Sequence, residues 1–301
     1  MNGFEKIESC YKQIKNNFLY LSKYSFVWTS TFIATFQIIG FLCDFSNIFH
    51  ESITFWGRLL ISAATVAIIR LAVFTYKSKS ILTTERVTIF NAENNHHVYA
   101  EYGDLFANNG SSKNVVITAN RCFDTIVDND LISETTIHGL AINKICTNGY
   151  TPEMLNDALQ KNLSDRHIKP VCVLSTQDKR KGNLSRYPVG TIAEFKKSDT
   201  DNISYFFVGM SAFNSNLHPE TTEKDYAVTV QSVIEYCNSR SQRFPVYMPI
   251  IGTNGLSSKK SERELLEYMV NALRFNKHLI NTDIHIVVYS GRRNDVSIYG
   301  L

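Results

Sequence analysis

Residues 244–258 read FPVYMPIIGTNGLSS, an apolar run of strand length that enters a loop with two glycines and several hydroxyls ahead of a charged helical pattern. Gly252 and Gly255 permit positive φ and a close backbone approach, so successive N–H groups can converge on phosphate oxygens without a cationic side chain. A tight turn between strand and helix would use the same residues. His138, with a reference pKa of about 6.5, suits a general acid or base as well as a hydrogen-bonded pocket or surface histidine. Cys122 lacks an obvious partner and reads as a small buried filler rather than a nucleophile. His96 and His97 have no third ligand at a recognisable spacing, so no metal site is expected. The six cysteines contain no C-x-x-C pair, which suggests neither a zinc site nor a disulfide framework and fits a reducing cytosol.

These residues lie in a chain of 301, with 31 basic against 28 acidic side chains. The small net charge excludes a strongly basic nucleic-acid domain and an acidic disordered tail. With 44% hydrophobic and 20% charged residues the chain can bury a full core. From residue 85 onward apolar runs of strand length alternate with helical patterns, the mark of an α/β domain. Strands are expected at 87–90, 98–102, 115–118, 171–175, 192–195, 205–210, 246–251, 284–289 and 297–299. Helices are expected at 152–162, 223–239 and 261–275, where Tyr226, Val230, Val233, Ile234 and Cys237 have the spacing of one buried face. Thr151 and Pro152 supply a cap and a first-turn proline.

The first quarter differs. Residues 25–43 carry no charge over nineteen positions, close to the roughly 20 needed to cross about 30 Å of hydrocarbon as a helix. A second apolar stretch, 53–76, is interrupted only by Arg58 and Arg70, which could snorkel to opposite headgroup layers. The connector 44–52 has no Lys or Arg, whereas Lys6, Lys12, Lys15 and Lys23 precede the first stretch and Lys77, Lys79 and Arg86 follow the second. The positive-inside rule then gives a multi-pass hairpin in the lipid bilayer with both termini cytoplasmic. Small residues along both stretches permit close helix packing and self-association, so a homo-oligomer is expected. Ahead of them Phe4, Ile7, Tyr11, Ile14, Phe18 and Leu21 form a heptad-like seam, read either as a short coiled coil or as an amphipathic helix on the inner membrane face. The expected division is 1–24 amphipathic helix, 25–76 hairpin, 77–84 linker and 85–301 α/β domain.

Tyr102-Gly103-Asp104-Leu105-Phe106 forms a short G-D-aliphatic turn, and Val115 to Asn120 forms a buried strand ending in Asn. With Tyr187-Pro188-Val189-Gly190-Thr191 and then FPVYMPIIGTNG, these segments in this order resemble the macro domain, an ADP-ribose-binding three-layer α/β/α module. The resemblance covers roughly 85–301. Together with the membrane hairpin, the stretch from Asn120 to Asp128 and the C-terminal HIVVYS, the chain is similar to the transmembrane-macro effectors of Thoeris antiphage systems. That resemblance implies a bacterial inner-membrane effector, not an enzyme, which needs no cofactor. Its macro domain would sense an ADP-ribose-derived signalling nucleotide, histidine-ADP-ribose, made by a companion TIR-domain protein. Oligomerisation and membrane disruption would be the output. A membrane-bound ADP-ribosyl hydrolase and a scaffold for ADP-ribosylated proteins are the alternatives.

The resemblance also implies roles by position. Asp104 would accept from the adenine amino group and the Leu105 backbone would fix the base, although Asp104 could equally cap a turn. Asn120 would contact the distal ribose. Gly252, Thr253, Asn254, Gly255 and Leu256 would surround the diphosphate, with Pro188, Val189 and Gly190 lining the pocket nearby. The family's second, glycine-rich phosphate loop is replaced here by residues 133–139, so the backbone amides of Thr136, Ile137, His138 and Gly139 are its counterparts. Asp124, Asp128 and Asp130 would lie toward the distal end of the ligand, either as a solvated loop or as a selector for a cationic group on a conjugate.

Overall fold

A computed structural model of the chain describes residues 3–42, 55–107, 110–198, 201–253 and 260–301. They form two compact units: Met1–Glu85 together with Gly291–Gly300, and Arg86–Ser290 with Leu301.

The first unit holds α1 (Gly3–Asn16), α2 (Phe18–Leu42) and α3 (Phe55–Thr83). The break between α1 and α2 falls at Asn17, whose side-chain amide donates to the Gln13 carbonyl at 2.8 Å and competes with the helical ladder. From Phe18 onward no proline interrupts the pattern, so α2 begins inside the stretch read as the amphipathic helix. Likewise α3 runs to Thr83 through most of the expected linker, because residues 77–83 contain no helix breaker. Phe26, Trp28, Phe32, Leu59, Leu60, Ile68 and Leu71 are exposed, which makes the surface of α2 and α3 broadly apolar. Among the described residues one helical stretch, Leu59–Thr83, is long and apolar enough to cross a membrane. The other expected span, 25–43, and the connector 44–52 extend outside the described residues.

The C-terminal segment belongs to this helical unit, whereas the sequence reading carries the α/β domain through to Leu301. Residues 297–299, expected as a strand, are an irregular tail instead. The polar groups of this tail meet helix termini and side chains rather than a sheet edge. Arg293 Nη2 donates to the carbonyls of Ile81, Leu82 and Thr84 at 3.2, 3.0 and 2.9 Å, satisfying acceptors that the end of α3 leaves open. Asn294 Oδ1 accepts from Ser9 and Gln13 at 2.8 and 3.0 Å.

The second unit is built on a mixed sheet. Its strands are β1 (Arg86–Asn91), β2 (His97–Gly103), β3 (Lys113–Asn120), β6 (Ile192–Phe195), β7 (Ile203–Phe213), β8 (Pro219–Glu220), β9 (Val246–Pro249) and β10 (Ile284–Tyr289). Their order is β1-β2-β10-β9-β3-β7-β6, with β8 on the end of β7. The five strands β2, β10, β9, β3 and β7 run parallel, and β1, β6 and β8 are antiparallel additions. The expected strand at 171–175 shrinks to β4 (Cys172–Val173), which pairs with β5 (Ser185–Arg186) off the main sheet. Val171 and Val173 are exposed and have no layer to bury them.

The helices are α4 (Ile137–Ile145), α5 (Pro152–Asp165), α6 (Glu223–Arg240) and α7 (Glu262–Phe275). Three match the expected patterns; α4 is additional and short. Thr151 caps α5, and capping boxes start α6 (Thr222 with Asp225) and α7 (Ser261 with Glu264). Consecutive β7 residues show that helices cover both faces: Phe207 meets His138 of α4 at 6.0 Å between ring centroids, and Phe206 meets Tyr236 of α6 at 5.4 Å. Leu155, Leu159 and Leu163 of α5 join the first face, and the Tyr226 hydroxyl of α6 donates to Leu265 of α7 on the second. This is the expected three-layer α/β/α arrangement. The five described cysteines are free.

Candidate functional site

In open α/β sheets ligands bind beyond the carboxyl ends of parallel strands. There, at the ends of β3 and β7, lies a cavity of ≈ 200 Å³ whose lining includes Thr118, Asn120, Ser211, Thr136, His138 and Thr253. The register of β3 against β7 shifts after Ala119, so that Asn120 stands opposite Ser211. This irregularity brings the polar side chains at the ends of the two strands to one place, beside Thr118 of β3.

Three buried polar atoms in that lining have no hydrogen-bond partner: Asn120 Nδ2, His138 Nε2 and Ser211 Oγ. Their residues are 3%, 7% and 0% exposed. A buried polar atom without a partner costs about 1–3 kcal/mol, so three lining one cavity mark a place built for a polar occupant. Asn120 Oδ1 is fixed by the Cys122 amide at 2.9 Å, which leaves the amide nitrogen to serve the cavity. That nitrogen lies near enough to Asp124 to favour its carboxylate, yet meets no acceptor in bonding geometry.

His138 sits in the first turn of α4, which Thr136 caps by accepting from the Gly139 amide at 3.1 Å. Burial lowers its pKa to about 4, and a hydrogen bond to the Asp124 backbone opposes that shift. Of the four amides proposed for this loop, those of Thr136 and Gly139 are spent internally, on the Ser133 carbonyl and the Thr136 hydroxyl. The side chains of Thr136 and His138 therefore carry more of this wall than the backbone does. Gly139 is required by close approach: a Cβ there would stand 2.2 Å from the Ser133 carbonyl oxygen. Gly139→Ala is expected to cost roughly 1–3 kcal/mol by overpacking, read as a lowered Tm.

The acidic cluster is not free. A strap of three consecutive cations pairs with it: Lys179 with Asp124 at 2.7 Å, Arg180 with Asp130 at 2.6 Å, and Lys181 with Asp128. Lys179 and Asp124 are both fully buried. Asn183 completes the carboxylate's coordination through its backbone N–H at 2.6 Å, and its carbonyl accepts from Lys179 at 2.7 Å. Desolvation pushes the Asp124 pKa up and Lys179 opposes it. At the surface, the bond to Lys181 draws Asp128 down to about 2. Asp130 alone of the three lines the cavity.

The remaining positions separate. Asp104 follows β2, is exposed, and accepts from the Phe106 amide at 2.9 Å, forming a turn. Leu105 is core, packed with Val115 and Ile117. Pro188, Val189 and Gly190 form the turn before β6 and do not line the cavity; Gly190 instead lies against Ser232 of α6. Gly252 takes φ +91° beside the Tyr226 ring, and the Thr253 hydroxyl donates to Ile250 at 3.1 Å. Asn254, Gly255 and Leu256 lie outside the described residues. The sequence reading missed Thr118, Ile132, Ser211, Phe213 and Leu217 as lining residues. Ser211 alone offered a signal, as a hydroxyl inside the apolar run FFVGMSAF.

Residues 98–289 match the family model described as the macro domain of Thoeris protein ThsA. The chain is 24% identical over 213 residues to the Thoeris protein ThsA of Bacillus amyloliquefaciens (strain Y2), covering 69% of this chain and 67% of that protein. Among solved structures it is similar to the Oceanobacillus iheyensis macrodomain with MES bound, at a TM-score of 0.45 and 11% identity over 69% of this chain and 92% of that one.

Proposed function

The chain belongs to the Thoeris ThsA macro-domain family, and from that premise we propose that its α/β unit binds an ADP-ribose-type nucleotide as the trigger of an antiphage response. The observation that carries this reading is the set of three unpartnered buried polar atoms, Asn120 Nδ2, His138 Nε2 and Ser211 Oγ, at the carboxyl ends of β3 and β7. At ≈ 200 Å³ the cavity falls below the roughly 300–1,000 Å³ of pockets for whole drug-sized ligands. It therefore takes one moiety of a nucleotide, with Asp104 and the loop from Gly252 to Leu256 serving the adenine and diphosphate, and Pro188 to Gly190 shaping the loop nearby.

In this reading the protein is an effector and not an enzyme. The signal, histidine-ADP-ribose, comes from a TIR-domain protein and need not arrive by physical contact. The helices, with Leu59–Thr83 as the span that length and apolarity support, form a hairpin in the bacterial inner membrane, both termini cytoplasmic. Ligand binding shifts the hairpins toward a homo-oligomer that disrupts the bilayer. A near-complete switch requires the ligand to favour the assembled form by about 5.5 kcal/mol.

Calorimetric titration of the full-length protein in detergent with ADP-ribose tests the binding step. Asn120→Ala and Asp104→Ala are each expected to weaken binding about tenfold, the loss of one well-placed hydrogen bond. Recovery of intact nucleotide by mass spectrometry after incubation accords with a sensor; conversion would assign a hydrolase. Unchanged affinity in both variants would remove the site.

A further inference from the structure

We propose that α1 is an interfacial helix: Phe4, Ile7 and Tyr11 dock on the anionic cytoplasmic leaflet, while the opposite face is held by the tail that follows β10. The inference rests on the reading of α2 and α3 as membrane helices, and adds a second membrane contact that requires anionic lipid.

At about 100° per residue, Phe4, Ile7 and Tyr11 share one narrow stripe of α1, and Ser9, Gln13 and Asn16 lie about 180° away. The tail fills only the polar side. Asn294 Oδ1 accepts from Ser9 Oγ and Gln13 Nε2 at 2.8 and 3.0 Å, and its backbone carbonyl accepts from Asn16 Nδ2 at 2.5 Å. Just past the helix, Ser297 Oγ donates to Asn17 Oδ1. These bonds fix how α1 is turned about its axis, and the stripe turned outward is 81%, 70% and 64% exposed at Phe4, Ile7 and Tyr11.

Two occupants suit such a stripe, a second copy of α1 or a bilayer. The break at Asn17 ends the heptad pattern after 14 helical residues, and Leu21, the last position of the expected seam, is buried. A coiled coil takes about three to four heptads, whereas an interfacial helix needs only an apolar face with cations beside it. Lys12 is paired with Glu8 at 2.9 Å, and among the described residues Lys6 and Lys15 are exposed cations with no ion pair.

The depth also fits. α2 begins at Phe18, and its first turns carry Tyr20, Tyr24 and Trp28 in a row, with ring centroids 6.2 and 6.0 Å apart. Lys77 lies over the Tyr20 and Tyr24 rings at 5.8 and 4.7 Å. Such aromatic and cationic groups belong to the headgroup layer. α1 therefore leaves α2 at the level where an interfacial helix lies, on the side where the leaflet carries negative surface potential.

Tryptophan fluorescence of the full-length protein in lipid vesicles tests this. Trp28→Phe and Trp56→Phe with Tyr11→Trp leave one tryptophan, in the stripe, and all three positions are exposed, so the fold is kept. In vesicles of phosphatidylglycerol and phosphatidylcholine, brominated acyl chains are expected to quench this reporter at least about twofold. In phosphatidylcholine alone the docked-to-free ratio is expected to fall about thirtyfold, the effect of two lysines near an anionic surface. Adding Ile7→Asp is expected to abolish the quenching. A reporter open to acrylamide in vesicle-bound protein overturns the docking while the membrane reading stands. So does a reporter shielded from acrylamide without quenching by bromolipid, which a second copy would produce. Equal quenching with and without phosphatidylglycerol overturns the anionic-lipid assignment. Protein released from the vesicles by alkaline carbonate overturns the membrane reading, and this inference with it.

Discussion

Replacing Lys179 by Met, which keeps much of the stem and removes the ammonium, is expected to destabilise the α/β unit by about 3–5 kcal/mol, the cost of leaving a buried charge without its partner. Asp124 is 1% exposed and Lys179 0%, so water cannot take over the lost contact. The strap is also held sterically: Gly182 has φ +81°, and a Cβ there would fall 2.2 Å from Asp124 Oδ1. The variant's pH dependence distinguishes this mechanism from simple loss of packing. Without Lys179 the burial that already raises the Asp124 pKa loses its largest opponent and is resisted mainly by the Asn183 backbone N–H. The folded state then holds a proton that the unfolded state releases, and stability falls as pH rises from about 4 toward the raised value. Thermal unfolding of full-length protein at several pH values measures both effects. A drop in Tm that is small and flat with pH would show that the pair contributes little. Converting both partners to apolar residues, Lys179→Met with Asp124→Leu, is expected to recover part of the loss.

Acid is expected to destabilise the unit through His138 before most carboxylates titrate. The folded pKa of about 4 lies below the unfolded value of 6.5. Between those values the unfolded state binds a proton that the folded state refuses. Stability is therefore complete above about pH 7, declines as pH falls through 6.5, and reaches its floor near 4, a loss of roughly 3 kcal/mol at about 1.36 kcal/mol per pKa unit. Asp128, drawn to about 2 by Lys181, acts in the same direction at lower pH: its contribution is present above the ordinary value of 3.8 and lost as pH falls through 2. The two windows barely overlap. The measurement is the Tm of wild type and His138→Gln from pH 7.5 to 4.5, where the wild type should fall more steeply and the two curves should converge toward acid. Parallel curves would mean that His138 is not desolvated in the folded state.

Much of the fold was legible because local periodicity and capping encode it. The apolar runs at 115–118, 205–210 and 284–289 are buried parallel strands, and Thr151-Pro152 starts a helix as capping rules require. What local pattern could not give was where an ambiguous short segment goes. Residues 297–299 have the composition of a strand, but the donors and acceptors waiting for that tail are on helices, including the three carbonyls at the end of α3. Val171 and Val173 have β-branched side chains but no layer above them, so β4 stays two residues long.

The site divides in the same way. Sequence by itself determined that Asn120 ends a buried strand and that Gly252 opens a loop permitting positive φ, because each depends on neighbours a few residues away; the helix that carries His138 was not among the expected elements. Tertiary structure alone decided that Asp124, Asp128 and Asp130 are neutralised by Lys179, Lys181 and Arg180, partners 55, 53 and 50 residues distant. It alone also brought Ser211 opposite Asn120, through a register shift between β3 and β7. The physical reason is range: periodicity and caps are set by bonds within one or two turns. Which charges meet, and which polar atoms go without partners, is settled only when separate segments share a dry interior, where an unpaired group is too costly to leave to chance.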